Sequence, residues 1–63
     1  MMEVSEMTKI VNVCSNGSGF IITYNGVEYE VKNFKECIYM IGWLTGRHDV
    51  LVNGIPVDKW IML

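Results

Sequence analysis

The clearest pattern in this chain is the alternation of apolar and charged residues in V-E-Y-E-V, directly after Asn25-Gly26, with the mostly apolar stretch F-I-I-T-Y directly before. This pattern predicts two strands, over residues 20–25 and 27–32, joined by a two-residue turn. Asn-Gly favours a type I′ turn because both central residues need positive φ, and a two-residue turn fixes the register of the strands. The predicted pairs, whose side chains all project toward the core, are Tyr24 with Val27, Ile22 with Tyr29, and Phe20 with Val31.

An earlier strand is predicted over residues 8–14, which are rich in β-branched residues. The turn-forming sequence S-N-G-S-G connects this strand to the hairpin. If residues 15–18 form a four-residue loop, Ile10 and Asn12 face away from the core. The pairs that this loop predicts are Val13 with Phe20 and Val11 with Ile22. A loop one residue longer or shorter reverses the two faces, so the register of this first hairpin stays open.

The spacing of apolar residues becomes helical over residues 33–46. Asn33 is a good helix cap, and Glu36 stands three positions later, as in a capping box. Gly46 is a typical stop signal. Gly42 lowers the stability of a helix interior by about 1 kcal/mol relative to Ala, so we expect close packing or a kink there. The residues that form one apolar stripe are Phe34, Cys37, Ile38, Ile41, Leu44 and Thr45.

The opposite side of this helix is also apolar, because Tyr39, Met40 and Trp43 lie on it. A helix that is apolar nearly all round is usually buried on both sides. A chain of 63 residues has little material left to cover the second side. Either the C-terminal segment folds over it or another chain covers it.

The sequence after the helix predicts a short hairpin, with a strand over residues 49–53. Asn53 and the glycine after it form a second type I′ signal. The predicted pairs are Val52 with Ile55 and Val50 with Val57. Pro56 cannot donate a hydrogen bond, so its strand is expected at an edge of the sheet. Asp49 and Asp58 would face each other next, and the pairing is expected to fray there.

These elements predict an α+β fold with the order βββαββ. An antiparallel meander of about three strands is packed by one α-helix and followed by a short C-terminal β-hairpin. The chain forms one small domain, residues 1–63, in which residues 1–6 are expected to be a loosely ordered lead-in. Whether the two hairpins share one sheet stays open. The apolar end, residues 60–63, is expected to pack across the helix or to contact another chain.

Composition narrows the function classes. The chain is 51% hydrophobic and 19% charged, with a formal net charge of −2 and a pI of about 5.1. An acidic chain with scattered basic residues is poorly suited to general binding of a phosphate backbone. No apolar run approaches a membrane span, and the acidic N-terminus does not resemble a signal peptide. We therefore predict a cytoplasmic protein.

The residues with reactive side chains form no motif tied to a reaction. Cys14 and Cys37 are expected to be buried free thiols in a reducing compartment, although a bridge between them stays open. Together with His48 they lack the paired spacing of a zinc site. Glu28 and Glu30 are expected on a solvated sheet face, since a small chain offers no cleft around two carboxylates. No catalytic residue, cofactor or metal is predicted, and the chain is not expected to be an enzyme.

The candidate functional residues are instead the apolar ones that one small sheet cannot cover. Tyrosine, tryptophan and methionine are enriched in protein interfaces, and an exposed apolar patch marks a partner site. The predicted partner-binding residues are Tyr39, Met40, Trp43 and Trp60. The alternative is that the C-terminal hairpin buries them in the core. Self-association as a homodimer is expected to use the same patch.

The leading prediction is a small non-catalytic protein-binding module that occludes the surface of a macromolecular partner. In size, acidity and lack of catalytic groups the chain resembles small phage-encoded inhibitors, anti-CRISPR proteins among them. This resemblance is one of format and involves no residue motif. The alternative is a small regulator that binds nucleic acid on a sheet surface, which the register disfavours because it places Phe20, Tyr24 and Tyr29 under the helix.

Overall fold

The computed structural model describes residues 8–63, so the prediction for residues 1–6 lies outside the described part of the chain. Five strands and two helices occur in this part. Their bounds are β1 (Lys9–Ser15), β2 (Phe20–Tyr24), β3 (Val27–Val31), α1 (Phe34–Thr45), β4 (Val50–Val52), β5 (Ile55–Pro56) and α2 (Val57–Ile61).

All five strands belong to one sheet with the order β3-β2-β1-β4-β5. The strands β1, β2 and β3 form the predicted antiparallel meander. The predicted α+β fold is therefore confirmed, and the open question about the two hairpins is answered. After α1 the chain returns to the centre of the sheet, where β4 pairs with β1 in parallel. The C-terminal hairpin thus extends the meander into a larger sheet.

The β2–β3 hairpin has the predicted register, with Tyr24 opposite Val27 and all later pairs in place. Asn25 and Gly26 both have positive φ, 54° and 80°, as a type I′ turn requires. This hairpin is a case in which two residues of local turn chemistry determine a whole strand pairing.

The predicted register of the β1–β2 hairpin is wrong by two residues. Val13 lies opposite Ile22 rather than Phe20, and Ser15 takes the place opposite Phe20. The loop has four residues, as predicted, but it begins at Asn16, whose backbone N–H donates to the carbonyl of Gly19. The Asn16 side chain also accepts hydrogen bonds from the backbone N–H groups of Ser18 and Gly19. A shift of two leaves every side chain on its predicted face, and so Val11 is buried and Ile10 is exposed.

The C-terminal hairpin is shorter than predicted. Val52 pairs with Ile55 as expected, but Val50 does not pair with Val57, because Val57 begins α2. Pro56 has no N–H to continue the ladder and precedes the first helical residue. The strand pairing therefore ends before the two aspartates that were expected to oppose each other.

Hydrogen bonds from Asn53 join this hairpin to β1. Its backbone N–H donates to the carbonyl of Val11, and its side-chain amide both accepts from the N–H of Val13 and donates to the carbonyl of Val13. The side chain thus takes the place of one further strand residue and lengthens the parallel ladder.

The core lies between the sheet and the two helices. Phe34, at the start of α1, packs against Phe20 and against Trp60 of α2, with ring centroids 6.3 Å and 5.0 Å apart. On α1, the hydroxyl of buried Thr45 donates to the carbonyl of Ile41. The buried apolar residues are Val11, Ile22, Val31, Cys37, Ile41, Val50, Val52, Val57 and Trp60.

The two cysteines lie in different environments, and both are free. Cys37 is buried in the core, whereas Cys14 is exposed, so the prediction of two buried thiols is wrong for Cys14. Burial, and to a smaller extent the negative charge of Glu36, raise the pKa of the Cys37 thiol. A thiol held in its neutral form is a poor nucleophile and a poor metal ligand.

Candidate functional site

Three of the four predicted partner-binding residues lie together on α1. Tyr39 and Trp43 are 65% and 78% exposed, and Met40 is half-buried against the core. Trp60 does not join them, because it is only 8% exposed and packs on Phe34. The candidate patch therefore consists of Tyr39, Met40 and Trp43 alone.

The caps of α1 orient this patch. The side chain of Asn33 accepts the backbone N–H of Glu36 at 2.9 Å, as predicted. The Glu36 carboxylate does not close the expected capping box on Asn33, but accepts the backbone N–H of Lys32 at 3.0 Å. This bond ties the first turn of α1 to the residue that follows β3. Since Met40 and Trp43 follow Glu36 at helical spacing, they continue along the same flank of the helix.

An open groove of about 360 Å³ runs between this flank of α1 and the sheet. Val31, the last residue of β3, is buried beneath it. A second depression of about 220 Å³ adjoins the groove and shares Glu30 and Val31 with it. The residues lining the groove are Glu30, Val31, Glu36, Tyr39, Met40 and Trp43.

The sheet side of this groove is the free edge of β3, which sequence reasoning did not identify. Strand β3 has β2 on one side and no neighbouring strand on the other, within the part of the chain that the structure describes. Its alternating sequence V-E-Y-E-V marked one charged face. Which strand stands at an edge, however, depends on the order of the strands in the sheet. The site is therefore a composite of an aromatic helix flank and an unpaired strand edge.

The rim of the groove is acidic. Glu30 and Glu36 both line it, and Glu28 is an exposed neighbour on β3. One carboxylate oxygen of Glu30 accepts a hydrogen bond from the side chain of Asn16 at 2.9 Å, which fixes the position of this carboxylate. The ammonium of Lys35 lies 5.9 Å from the ring centroid of Tyr39, a distance at which a cation–π contact is weak.

The opposite face of the sheet is a second open surface. Both helices of residues 8–63 pack on the inner face, and Ile10 on the outer face is 54% exposed. Ile10 lies beside Leu51, which in turn pairs with Pro56, so apolar residues gather at the β4–β5 end. At the β3 end the same face carries Glu28 and Glu30.

Between residues 8 and 63, no group of three or more His, Cys, Asp or Glu side chains is placed to hold a metal ion. His48 is exposed, and its backbone carbonyl accepts a hydrogen bond from the ammonium of Lys9. Across the same residues, no helix has both the length and the apolar character needed to cross a membrane.

Comparison of the chain with protein-family models, with curated proteins and with solved structures gives no significant match in any of the three. The groove between α1 and β3 must therefore be interpreted from its own chemistry.

Proposed function

We propose that this chain is a non-catalytic protein-binding module that acts by covering part of a partner protein. The observation that carries the proposal is the exposure of Tyr39 and Trp43 beside an open groove at a strand edge. Isolated apolar residues are common on protein surfaces, but a cluster of large aromatic residues along a groove is typical of an interaction site.

The size of the exposed rings supports this proposal. Burying an aromatic side chain removes about 150–250 Å² from water, which corresponds to roughly 4–6 kcal/mol before the costs of association are subtracted. Tyr39 and Trp43 retain most of this surface in the isolated chain. A partner that buries both rings therefore removes a large aromatic area from water through only two residues of this chain.

The proposed mode of action is occlusion. A small chain bound through one helix flank blocks whatever its partner's surface does, and needs no reactive group to do so. Inhibitors of phage type share this format of a short acidic chain, and we include an inhibitory role in the proposal on that ground.

The charge of the groove favours protein over nucleic acid as the partner. Glu30 and Glu36 line the groove, and carboxylates at these positions repel a phosphate backbone. The aromatic residues Tyr24 and Tyr29 are half-buried against the core under α1. They do not form an exposed stacking surface of the kind used by single-strand binders.

Self-association through the same helix flank is part of the proposal, because two copies facing each other at Tyr39 and Trp43 also cover these rings. Two copies have a combined mass near twice 7.2 kDa. A complex with a different protein has another mass, so the two kinds of partner are separable in one measurement.

Site-directed photo-crosslinking tests the proposal. The variant Trp43→p-benzoylphenylalanine places a photoreactive ring in the groove, and irradiation in lysate is expected to give one discrete adduct, identified by mass spectrometry. The matched control carries the same group at Lys59, an exposed residue of α2. Adding Tyr39→Ser to the position-43 variant is expected to reduce the adduct, because it removes the neighbouring ring.

The proposal fails if position 43 yields no more adduct than position 59, or if the yield is unaffected by Tyr39→Ser. Either result would show that crosslinking reflects exposure rather than a binding site.

A further inference from the structure

We infer that the free edge of β3 accepts an extended segment of a partner protein, which adds to the sheet as a sixth strand. Basic and apolar residues alternate along this segment. This inference rests on the proposed protein-binding function and assigns the chemical class of the segment that enters the groove. Three features carry it: the direction of the backbone hydrogen-bonding groups of β3, the charge of its outer face, and the aromatic flank of α1 above it.

The hydrogen bonds of the central strand β1 determine which backbone groups of β3 point outward. The N–H groups of Lys9 and Val13 on β1 are directed toward β4, to the carbonyl of Asp49 and to the side chain of Asn53. Successive residues of a strand direct these groups to opposite sides. The even-numbered residues of β1 must therefore bond to β2.

The same alternation continues across the sheet. Asn12 pairs with Thr23, so the odd-numbered residues of β2 bond to β1 and the even-numbered residues bond to β3. Tyr24 faces Val27 across the turn, which places the bonding pairs of β3 at its odd-numbered residues. Glu28 and Glu30 therefore direct their backbone N–H and C=O groups to the free edge.

A hydrogen bond at the β3 edge itself agrees with this direction. Lys32 has the same parity as Glu28 and Glu30, and its N–H points outward to the carboxylate of Glu36 at 3.0 Å. This carboxylate closes the ladder at Lys32 and leaves the two earlier positions for an added strand. In the part of the chain that the structure describes, no hydrogen bond to the backbone of Glu28 or Glu30 crosses this edge.

The side chains of β3 define the residues that an added strand should carry. Those of Glu28 and Glu30 project to the outer face, so residues directly opposite them lie within cross-strand contact distance and are favoured when positively charged. The intervening residues of the added strand project toward α1. They meet the groove lined by Met40 and Trp43, which favours apolar side chains.

A second copy of this chain fits the edge less well. In an antiparallel β3–β3 pairing the outward-directed residues face each other, and one register places Glu28 opposite Glu30 at two positions. A second register places Glu28 opposite its own copy. A third places Glu30 opposite its own copy and brings in Lys32, whose N–H is already bonded to Glu36. Like charges directly opposite each other destabilise a strand pair. A basic segment from a different protein avoids this repulsion.

Peptide titration followed by NMR tests the inference on the full chain. The probe is a peptide of about seven residues, acetylated and amidated, in which Lys alternates with Leu. Addition of the probe is expected to slow hydrogen exchange of the Glu28 and Glu30 amides and to shift the indole signal of Trp43. The buried indole of Trp60 serves as the internal control.

Two further peptides separate backbone pairing from simple attraction. A peptide with Glu in place of Lys is expected to bind roughly fivefold to tenfold more weakly, because two opposite-charge pairs become like-charge pairs. A Lys–Leu peptide can be N-methylated at the amides that would donate to β3. This peptide keeps its charge and its apolar side chains, but it is expected to lose binding because it can no longer donate these hydrogen bonds. The double variant Glu28→Lys with Glu30→Lys should reverse the preference between the acidic and the basic peptide.

Several outcomes overturn the inference. Equal binding of the acidic and basic peptides removes the charge argument, and a Trp43 shift without protection of the Glu28 and Glu30 amides removes the strand addition. Protection that appears without peptide and grows with protein concentration identifies a second copy as the occupant. If position 43 still captures a partner protein by crosslinking, strand addition fails while the proposed function stands; if it captures none, the proposed function fails as well.

Discussion

The two edges of the five-stranded sheet are protected in different ways. Strand β5 has two residues, the second of which is Pro56, and it leads directly into α2. Strand β3 has five residues and no proline, and its edge opens into the groove beside α1. The β5 edge is closed by three devices that natural proteins use against edge pairing: short length, proline and an adjoining helix.

The β5 edge is protected against pairing with any other strand, whereas the β3 edge is protected only against some strands. A short strand that ends in proline excludes almost every incoming strand, whatever its sequence. The β3 edge is protected mainly by the charges of Glu28 and Glu30, which repel an acidic segment or another copy of the chain but attract a basic one. The closed edge therefore serves stability, and the open edge fits the selective binding site that we propose.

The two tryptophans follow the same division. Trp60, next to the closed edge, packs on Phe34 and is almost fully buried, whereas Trp43, beside the open edge, is 78% exposed. One chain of this size thus uses one large ring to complete its core and keeps the other on its surface.

The largest effect is expected from removing Trp60. Trp60→Ala should lower the free energy of unfolding by about 3–5 kcal/mol, as is usual for deleting a buried aromatic side chain. A chain of this length has a total stability of only about 3–9 kcal/mol. Urea denaturation followed by circular dichroism measures the difference, and Trp60→Phe gives a milder variant if Trp60→Ala does not fold.

Trp43→Ala is the matched control for this prediction. It removes a ring of the same size from an exposed position, so the free energy of unfolding should change by no more than about 0.5 kcal/mol. Equal destabilisation by the two variants would contradict the division of roles between the two edges.

Local signals in the sequence were enough to predict the elements nearest the site. Asn25 and Gly26 determined the β2–β3 register through their own turn chemistry, and Asn33 and Gly46 determined where α1 begins and ends. The helical spacing of Tyr39, Met40 and Trp43 also placed them correctly on one side of α1. Each of these inferences depends on residues close together in the chain.

The missing features depend on contacts between distant residues. The apolar sequence V-L-V of β4 is typical of a strand paired on both sides, but nothing local shows that its partner is β1, some 40 positions earlier. The assignment of Trp60 to the patch was based on composition alone, and α2 was not anticipated after Pro56. Without the strand order, the sequence did not show that β3 is an edge, and so half of the candidate site was missed.

An intermediate effect is expected at Gly19, which holds the end of β3 close to the β1–β2 loop. A Cβ atom at this position would overlap the carbonyl oxygen of Val31 and lie 3.1 Å from the Cα of Lys32. Because both neighbours are backbone atoms, Gly19→Ala should displace the end of β3 and lower the free energy of unfolding by about 1–3 kcal/mol. Thermal or urea denaturation measures this loss.

Ser18→Ala is the control for Gly19→Ala. Ser18 already carries a Cβ atom, is exposed, and uses only its backbone N–H in the loop, so its replacement should change stability by no more than about 0.5 kcal/mol. If Gly19→Ala is as mild as Ser18→Ala, then the close approach of Gly19 to β3 does not hold the open edge in place.

The smallest change in the free energy of unfolding is expected at Gly42, in the middle of α1, and this change is an increase rather than a loss. A Cβ atom here would lie 3.5 Å from Cδ of Arg47, an ordinary van der Waals contact, so the expected close packing does not require glycine. Gly42→Ala should therefore raise the free energy of unfolding by up to about 1 kcal/mol, the difference in helix propensity between the two residues.

Gly46→Ala provides the contrast, because Gly46 ends α1 with φ of 73°, where a Cβ atom is unfavourable by about 1–2 kcal/mol. Urea denaturation of both variants should give shifts of opposite sign, and a loss of stability in Gly42→Ala would mean that α1 packs more tightly against the segment after it than these distances indicate. Since neither position lines the groove, the more stable variant should also keep the Trp43 indole signal and its response to the basic peptide, which separates the stability of α1 from the binding role that we propose for its exposed flank.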